Sequence, residues 1–325
     1  MGNDCSVSVI VLNYNGDDFA INCIDSILAS DLSEFELVLF DNGSTDGSLE
    51  SVKRRHGADP RIKILVSPTN LGFAAGNNAA AEHSKGDVLV FLNNDTIVAK
   101  GDLTTLVGTL ISDPDAGIAL PITSEGHRDN RIYIGGVDLL GRPSLLDITG
   151  VPPDSVRTFA AGPAFAVRRA AWESVRGFDP KYFVYMEDID LAWRIGLLGF
   201  HVKIVPTVTI VHRGGATTSR IPKAQRVYFR FRNQTRTLIK NFSLGDLLVL
   251  GPTSLLYSFF EAIYLTSVSK STEFLKSWSR ALGWNLRFLR DTLITREQVQ
   301  RSRRVQERAV REIMTFPGIC PRLKS

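Results

Sequence analysis

The sequence predicts an α/β fold built on a mostly parallel sheet, and three observations carry that reading. Short, apolar, β-rich runs alternate with helical patterns along the first third of the chain, as in successive strand–helix–strand units. Each run stops abruptly at polar residues: Asn13–Asn15, Asp41–Asp46 and Asn93–Asp95. The usual glycine fingerprints are absent, with no G-x-G-x-x-G after the first run and no Gly-Lys-Ser/Thr loop, which disfavours a dehydrogenase or a P-loop NTPase. Ligands of parallel sheets sit beyond the carboxyl ends of the strands. The polar ends therefore mark one edge as the expected site, gripped by carboxylates and amides.

The elements follow in order. SVSVIVLNYN (6–15) reads as a buried strand, and a helical pattern continues through Ile21, Ile24 and Leu28. FELVLFDNGSTDGS (35–48) is a second strand ending in a polar turn, and IKILV (62–66) a third. A helix opens at Asn70–Gly72 and runs to about Ser84, before the fourth strand in DVLVFLNND (87–95). Beyond Gly101 the pattern loosens. RIYIGGVDLLGRP (131–143) suggests a hairpin, and TFAAGPAFAVRRAAW (158–172) a strand entering a helix. VYMEDIDLAWRIGLLGF (184–200) is an apolar helix opened by Glu187, Asp188 and Asp190, and HVKIVPTVTIVHRGG (201–215) reads as two short strands around Pro206.

Composition, with 44% hydrophobic and 22% charged residues, fits one large domain plus an appendage. We divide the chain into a catalytic domain at 1–215, with halves 1–97 and 98–215, and a helical, basic region at 216–325. Cys5, Cys23 and Cys320 show neither pairing rhythm nor zinc spacing, which fits a reducing compartment. No basic n-region precedes the first strand, so a secretory signal is not expected.

From Arg213 onward there are 21 Lys/Arg against 7 Asp/Glu; the preceding residues hold 17 against 27. Such asymmetry suggests that the C-terminal part faces something anionic. The arginines of 295–314 lack interleaved aromatics, which makes nucleic acid the weaker partner and a membrane surface the stronger. LLVLGPTSLLYSFF (247–260) is uncharged but bounded by Asp246 and Glu261 and interrupted at Gly251–Pro252. It is short for a spanning helix of about 20 residues, so an interfacial, re-entrant or core segment is expected. Phe274, Leu275, Trp278 and Leu282 recur at helical spacing among Lys270, Lys276, Arg280 and Arg287. That pattern suits a membrane-surface helix or a helix packed on the catalytic domain.

Taken singly, the polar motifs are ambiguous. A strand-end Asp41 with Gly43 and Gly47 suits a base or ribose contact, and equally an ordinary turn. Asp95 in FLNND suits a divalent cation on a diphosphate or again a turn. A lone His212 is more often structural than a ligand. Together, VIVLNYNG, FDNGSTDGS, NLGFAAGNN, VFLNNDT, GFDPKYFVYMEDIDLAWRIGLLG and VHRGG, in that order, resemble the family 2 glycosyltransferases of GT-A fold, most nearly the rhamnosyltransferase-type branch. The resemblance covers roughly residues 6 to 215 and extends more loosely into the basic tail, which is similar to tails of members acting on lipid-linked glycans.

The resemblance implies a nucleotide-diphospho-sugar transferase fold and assigns roles. Asp41 is similar to the family's base-and-ribose carboxylate. Asp95 matches the last acid of the D-x-D metal motif, Asn93 and Asn94 add neutral oxygens, and His212 resembles a second ligand to Mn²⁺ or Mg²⁺. Asp188 resembles the general base. Asn13, Asn70 and Asn77 line the donor pocket. The first D-x-D position is Asn93 here, which weakens the anionic charge facing the metal.

An acceptor hydroxyl must lose its proton as it attacks an anomeric carbon, and a carboxylate within reach can take it. Attack from the face opposite the leaving group inverts that centre. Glu187 is expected to hydrogen-bond the acceptor, and Asp190 with Arg194, at i and i+4, to fix the helix.

The expected activity is an inverting, metal-dependent transfer of a sugar, rhamnose by the branch resembled, from a dTDP- or UDP-linked donor to a polyprenyl-diphosphate-linked glycan in cell-envelope polysaccharide synthesis. The expected place is the cytoplasmic face of the cell membrane, bound peripherally to anionic lipid, with no nucleic acid partner. A pyrophosphorylase would want a Gly-rich loop with Arg and Lys after the first strand, and NYNGDDFAIN has neither. A non-catalytic nucleotide-sugar-binding or scaffold protein would have no need of Asp41, Asp95, Asp188 and His212 together.

Overall fold

A computed structural model describes residues 6–128, 131–214 and 221–314; Cys5 and Cys320 lie outside them. The chain alternates β1 (Val7–Asn13), α1 (Asp17–Leu28), β2 (Phe35–Asp41), α2 (Ser48–His56), β3 (Ile62–Val66), α3 (Phe73–Glu82), β4 (Val88–Asn93) and the short β5 (Thr96–Ile97). After α4 (Asp102–Ser112) come β6 (Ala116–Thr123), β7 (His127–Arg128), β8 (Arg131–Val137), β9 (Pro143–Asp147), β10 (Ala164–Arg168), α5 (Arg169–Ser174), α6 (Glu187–Leu197) and β11 (His201–His212). Five helices close the described chain: α7 (Lys223–Asn241), α8 (Leu244–Ser269), α9 (Glu273–Arg287), α10 (Leu289–Ser302) and α11 (Glu307–Ile313).

Eight strands form one sheet in the order β3-β2-β1-β4-β10-β6-β11-β5. β1 pairs in parallel with β2 and β4, β10 runs antiparallel to both β4 and β6, and β11 returns parallel to β6. The central strands β1, β2, β4, β10 and β6 bury both faces along most of their length, as their apolar runs require. Val9, Val11, Leu37, Leu39, Val90 and Leu92 pack to one side with α1 and α4, and Ile10, Val38, Phe40, Leu89 and Phe91 to the other. Each such side chain, fully buried, stabilises the fold by about 1.5–3 kcal/mol. On the second side Phe91 packs against Phe165 (5.1 Å), Trp172 (4.7 Å) and Phe178 (5.7 Å).

The hairpin expected in 131–143 is β8–β9, paired from Val137↔Pro143 to Tyr133↔Asp147. Two expectations change. Pro206 does not divide 201–212; β11 is one strand whose register slips between Val205 and Thr209. The irregularity places the proline, which has no N–H to donate, where the ladder is already broken. Nor does Pro252 end the apolar helix. α8 runs unbroken for 26 residues with Pro252 inside it, at the cost of one backbone hydrogen bond. α2, α4 and β6 lie where the sequence shows only a turn or a loosened pattern. α2 buries little besides Leu49 and Val52, too few for a clear period.

α9 packs on α7 and α8 of the helical region rather than on the catalytic domain. Phe274 and Ala281 are buried, and Trp278 donates to Ser258 Oγ of α8 (3.0 Å) while its ring lies 5.0 Å from Phe259.

Candidate active site

The carboxyl ends of β1 and β2 meet at Asp41, which is 1% exposed. Its carboxylate accepts from Asn13 Nδ2 (2.9 Å) and from the Ser44 amide (3.0 Å). Asn13 Nδ2 also reaches Ser48 Oγ (3.0 Å), and its Oδ1 accepts from Asn94 Nδ2 (3.0 Å). The ends of β1, β2 and β4 are thereby stitched into one polar floor. Gly16 is required above it, because a Cβ there would lie 2.2 Å from Asn13 Oδ1.

The loop after β3 is laced to this floor. Asn70 Oδ1 accepts from Asn42 Nδ2 (3.1 Å) and from the Gly72 amide (2.8 Å), so Asn70 shapes the loop. Asn77 is buried in α3 and donates to the Phe73 carbonyl one turn back (3.0 Å). Its neighbour Asn78, unnoticed in the sequence, clasps Phe178 by both main-chain groups (2.9 and 2.8 Å).

Asp95 follows β4, and the antiparallel β5–β11 pair brings His212 to it with Thr96 opposite. His212 Nε2 lies 3.3 Å from Asp95 Oδ1, and Nδ1 lies 3.2 Å from Glu125 Oε2. The Arg213 amide donates to the Asp95 carbonyl (3.0 Å), and the His212 amide to Ser124 Oγ (3.1 Å). Burial disfavours the charged imidazole, yet Asp95 and Glu125 outweigh it and raise its pKa above the usual histidine value. Among the described residues no group of three or more His, Cys, Asp or Glu side chains forms a metal cage. One carboxylate oxygen and one imidazole nitrogen at this spacing fit a divalent ion that takes its remaining ligands from substrate phosphates and water.

The third group belongs to α6. Tyr185 (φ 70°) and Met186 (φ 73°) both adopt the left-handed conformation just before it, a costly arrangement for side-chain-bearing residues. It turns Glu187, Asp188 and Asp190 into the first turn, at the positive end of the helix. Asp188 is partly accessible and accepts from the Gly162 amide (3.1 Å). Burial lifts its pKa, with the Gly162 amide pulling the other way. Glu187 is buried with Oε2 lacking a hydrogen-bond partner, and burial, reinforced by Asp188 beside it, pushes its carboxyl up to about 8. Adjacent carboxylates so perturbed by burial make this turn a candidate functional site.

Residues 162 and 163 join the two halves: while Gly162 contacts Asp188, the Pro163 carbonyl accepts from the Asn93 amide (2.9 Å).

Asp190 is fully buried between Arg194 Nε (2.7 Å), Lys240 Nζ (2.8 Å) and Asn241 Nδ2 (3.2 Å). Burial alone would raise its pKa, but Arg194 and Lys240 hold it below the usual range. Lys240, itself 0% exposed, also pairs with Asp179 (2.6 Å), which Arg236 engages at 2.8 Å. Asn233 Nδ2 donates to the carbonyls of Val184 (2.9 Å) and Tyr185 (2.7 Å), pinning the left-handed turn. Sequence reasoning missed these α7 residues. The one available signal was the density of polar residues in RFRNQTRTLIKN, too polar for a helix that Phe229, Phe231 and Leu238 also bury.

The model of the family described as "Glycosyl transferase family 2" matches residues 8–174, just over half of the chain. The chain belongs to glycosyl transferase family 2. The matched segment contains Asp41 and Asp95, whereas Asp188 and His212 of this transferase lie beyond it. The N-acetylglucosaminyl-diphospho-decaprenol L-rhamnosyltransferase of Mycobacterium tuberculosis is 26% identical over 249 residues, 66% of this chain and 78% of that protein. Rhamnosyltransferase WbbL of Escherichia coli is 25% identical over 228 residues, 63% of this chain and 83% of its own. Among solved structures, GalNAc-T7 with UDP, GalNAc and Mn²⁺ superposes with a TM-score of 0.64 at 15% identity, over 88% of this chain and 58% of that one. The transferase shares the GT-A fold, a mostly parallel sheet with flanking helices, and carries a helical C-terminal region.

Proposed function

We propose that this family 2 transferase moves a sugar, with inversion, from a nucleoside-diphosphate donor to a saccharide carried on a polyprenyl diphosphate. The observation that carries the reading is the meeting of Asp188 and the Asn93–Asp95 turn across residues 162 and 163. A proton acceptor and a diphosphate-binding turn flanking one short segment leave the anomeric carbon between them.

The acceptor hydroxyl gives its proton to Asp188 as its oxygen attacks that carbon and the bond to the diphosphate breaks. A carboxylate whose pKa is raised is a stronger base than an ordinary one. Asp41 and Asn13, fixed by each other, hold the nucleoside. Asp95 and His212 would hold a divalent cation, Mn²⁺ or Mg²⁺, which when bound supplies Lewis-acid charge for the leaving diphosphate. Glu187, expected to hydrogen-bond the acceptor, is buried and would act through Asp188 beside it. Rhamnose as the sugar is supported by the names of the mycobacterial and E. coli relatives, and a lipid diphosphate as the acceptor's carrier by the mycobacterial one. The cytoplasmic face of the membrane, where a nucleoside-diphosphate donor and an acceptor of that kind would meet, is the location that goes with this reading.

The test is thermal unfolding against dTDP-, UDP- and GDP-sugars, with and without Mn²⁺. A ligand at about 100 times its dissociation constant adds roughly 2.7 kcal/mol of stability. We expect one nucleotide to raise the midpoint, and to need the metal to do so. No shift with any donor would overturn the reading.

A further inference from the structure

α8 is built the wrong way round for a helix of a soluble domain. Past its first turn, the side chains it buries against its neighbours are small, Ser254, Ser258 and Ala262 at i, i+4 and i+8. The opposite stripe carries Val249 (68% exposed), Leu256 (56%), Phe260 (58%) and Ile263 (41%), flanked by Tyr257 and Tyr264. Only 17% of its most apolar 18-residue window is buried. Leaving such a continuous apolar surface in water is unfavourable and marks an interaction face.

The helix is long and apolar enough to span a bilayer, but its inner side forbids that. Glu261 pairs with Arg230 (2.6 Å), Ser254 accepts from Gln234 (3.1 Å), and the Arg142 guanidinium lies 4.1 Å from the Tyr257 ring centroid. Crossing would carry these groups, and α7 with them, into hydrocarbon at a prohibitive cost. Lying flat immerses the outer stripe alone. The rim suits that pose. Lys270 is exposed at the C-terminal end of α8, and exposed Arg287 and Arg290 flank the exposed Leu286 and Leu289. Leu244, which opens α8, lines a separate cleft with Leu293 of α10, among mostly polar residues.

We infer that the outer face of α8 docks on an anionic lipid bilayer, entering one leaflet without crossing it. This deepens the lipid-linked-acceptor reading above, on which it rests for its purpose. Tyrosines at the border and cations at the rim match the headgroup layer.

The experiment is co-sedimentation of the full-length protein with vesicles of phosphatidylglycerol and phosphatidylcholine, or of phosphatidylcholine alone. Wild type is expected in the pellet with the anionic vesicles at low salt, and Leu256→Glu/Phe260→Glu in the supernatant, a loss of partitioning of about tenfold or more. Retention of the donor-dependent rise in unfolding midpoint by the double variant shows that it folds. Wild type remaining in the supernatant, or the variant pelleting like wild type, overturns the inference. So does a lipid-free dimer that the variant abolishes while neither protein pellets, since the face would then bind a second copy. Failure of sedimentation with the donor and Mn²⁺ shift intact removes the membrane face and leaves the proposed activity standing.

Discussion

Glu187 and Asp188 are adjacent carboxyls with unequal surroundings. Asp188 is partly accessible and fastened by one amide, whereas Glu187 is buried with an oxygen left unpartnered. That difference supports the proposal that Asp188, and not Glu187, takes the acceptor's proton. Asp188→Asn should lower the transfer rate by about 10²–10⁴-fold while leaving the donor-induced rise in unfolding midpoint intact, which initial rates and melting curves on one preparation would check. Glu187 speaks through stability. Its folded pKa of about 8 lies above the ordinary value near 4.5, so the folded state holds a proton that the unfolded chain releases. Its contribution is complete at the acid end and is lost as pH rises from about 4.5 to 8. Urea unfolding at steps across that window should therefore show wild type losing stability relative to Glu187→Gln; parallel curves would refute the assignment.

α7 is the element on which the reactive helix rests. Its Asn233 holds two carbonyls of the left-handed turn, and Lys240 bridges Asp179 and Asp190. Burial works against the charge of Asp179, but Lys240 and Arg236 keep its carboxyl far below the usual range. Asn233→Ala should free the turn at a cost of about 1–3 kcal/mol. A shift of α6 by a fraction of an ångström would misplace Asp188, so kcat should fall by about tenfold or more with KM for the donor unchanged. Equal losses in donor binding would show instead a general loosening. α8 and α9 teach a related lesson. Both are apolar in part, yet α9 turns Phe274 and Ala281 inward while α8 turns most of its large side chains outward.

For the whole molecule, the positive balance after Arg213 divides between interior and surface. Arg232, Arg236 and Lys240 are buried, and Arg296 donates to the carbonyls of Ile239 and Phe242 at the end of α7. The helical region is thus bonded into the catalytic sheet's helices by charge. A chain ended at Pro222 would leave Asp179 and Asp190 buried without Lys240, and removing a partner from a buried pair costs about 3–5 kcal/mol. We expect that truncation to lose both cooperative unfolding and donor binding, as calorimetry would show. A fragment that melts normally would mean that the tail is a separable attachment.

The sequence by itself determined the strands of the nucleotide half and the polar ends of β1, β2 and β4, because a strand buried on both faces needs an unbroken apolar run and a ligand edge needs polar stops. It also marked Asp41, Asp95, Asp188 and His212 as a set, through motif order. Tertiary structure alone decided which face of each C-terminal helix is covered, how Lys240 reaches two acids 50 and 61 positions away, and that Pro206 and Pro252 stand inside continuous elements. The reason is range. Periodicity and turn chemistry act over a few residues, whereas burial of a charge or exposure of an apolar stripe depends on partners that only the folded chain brings near.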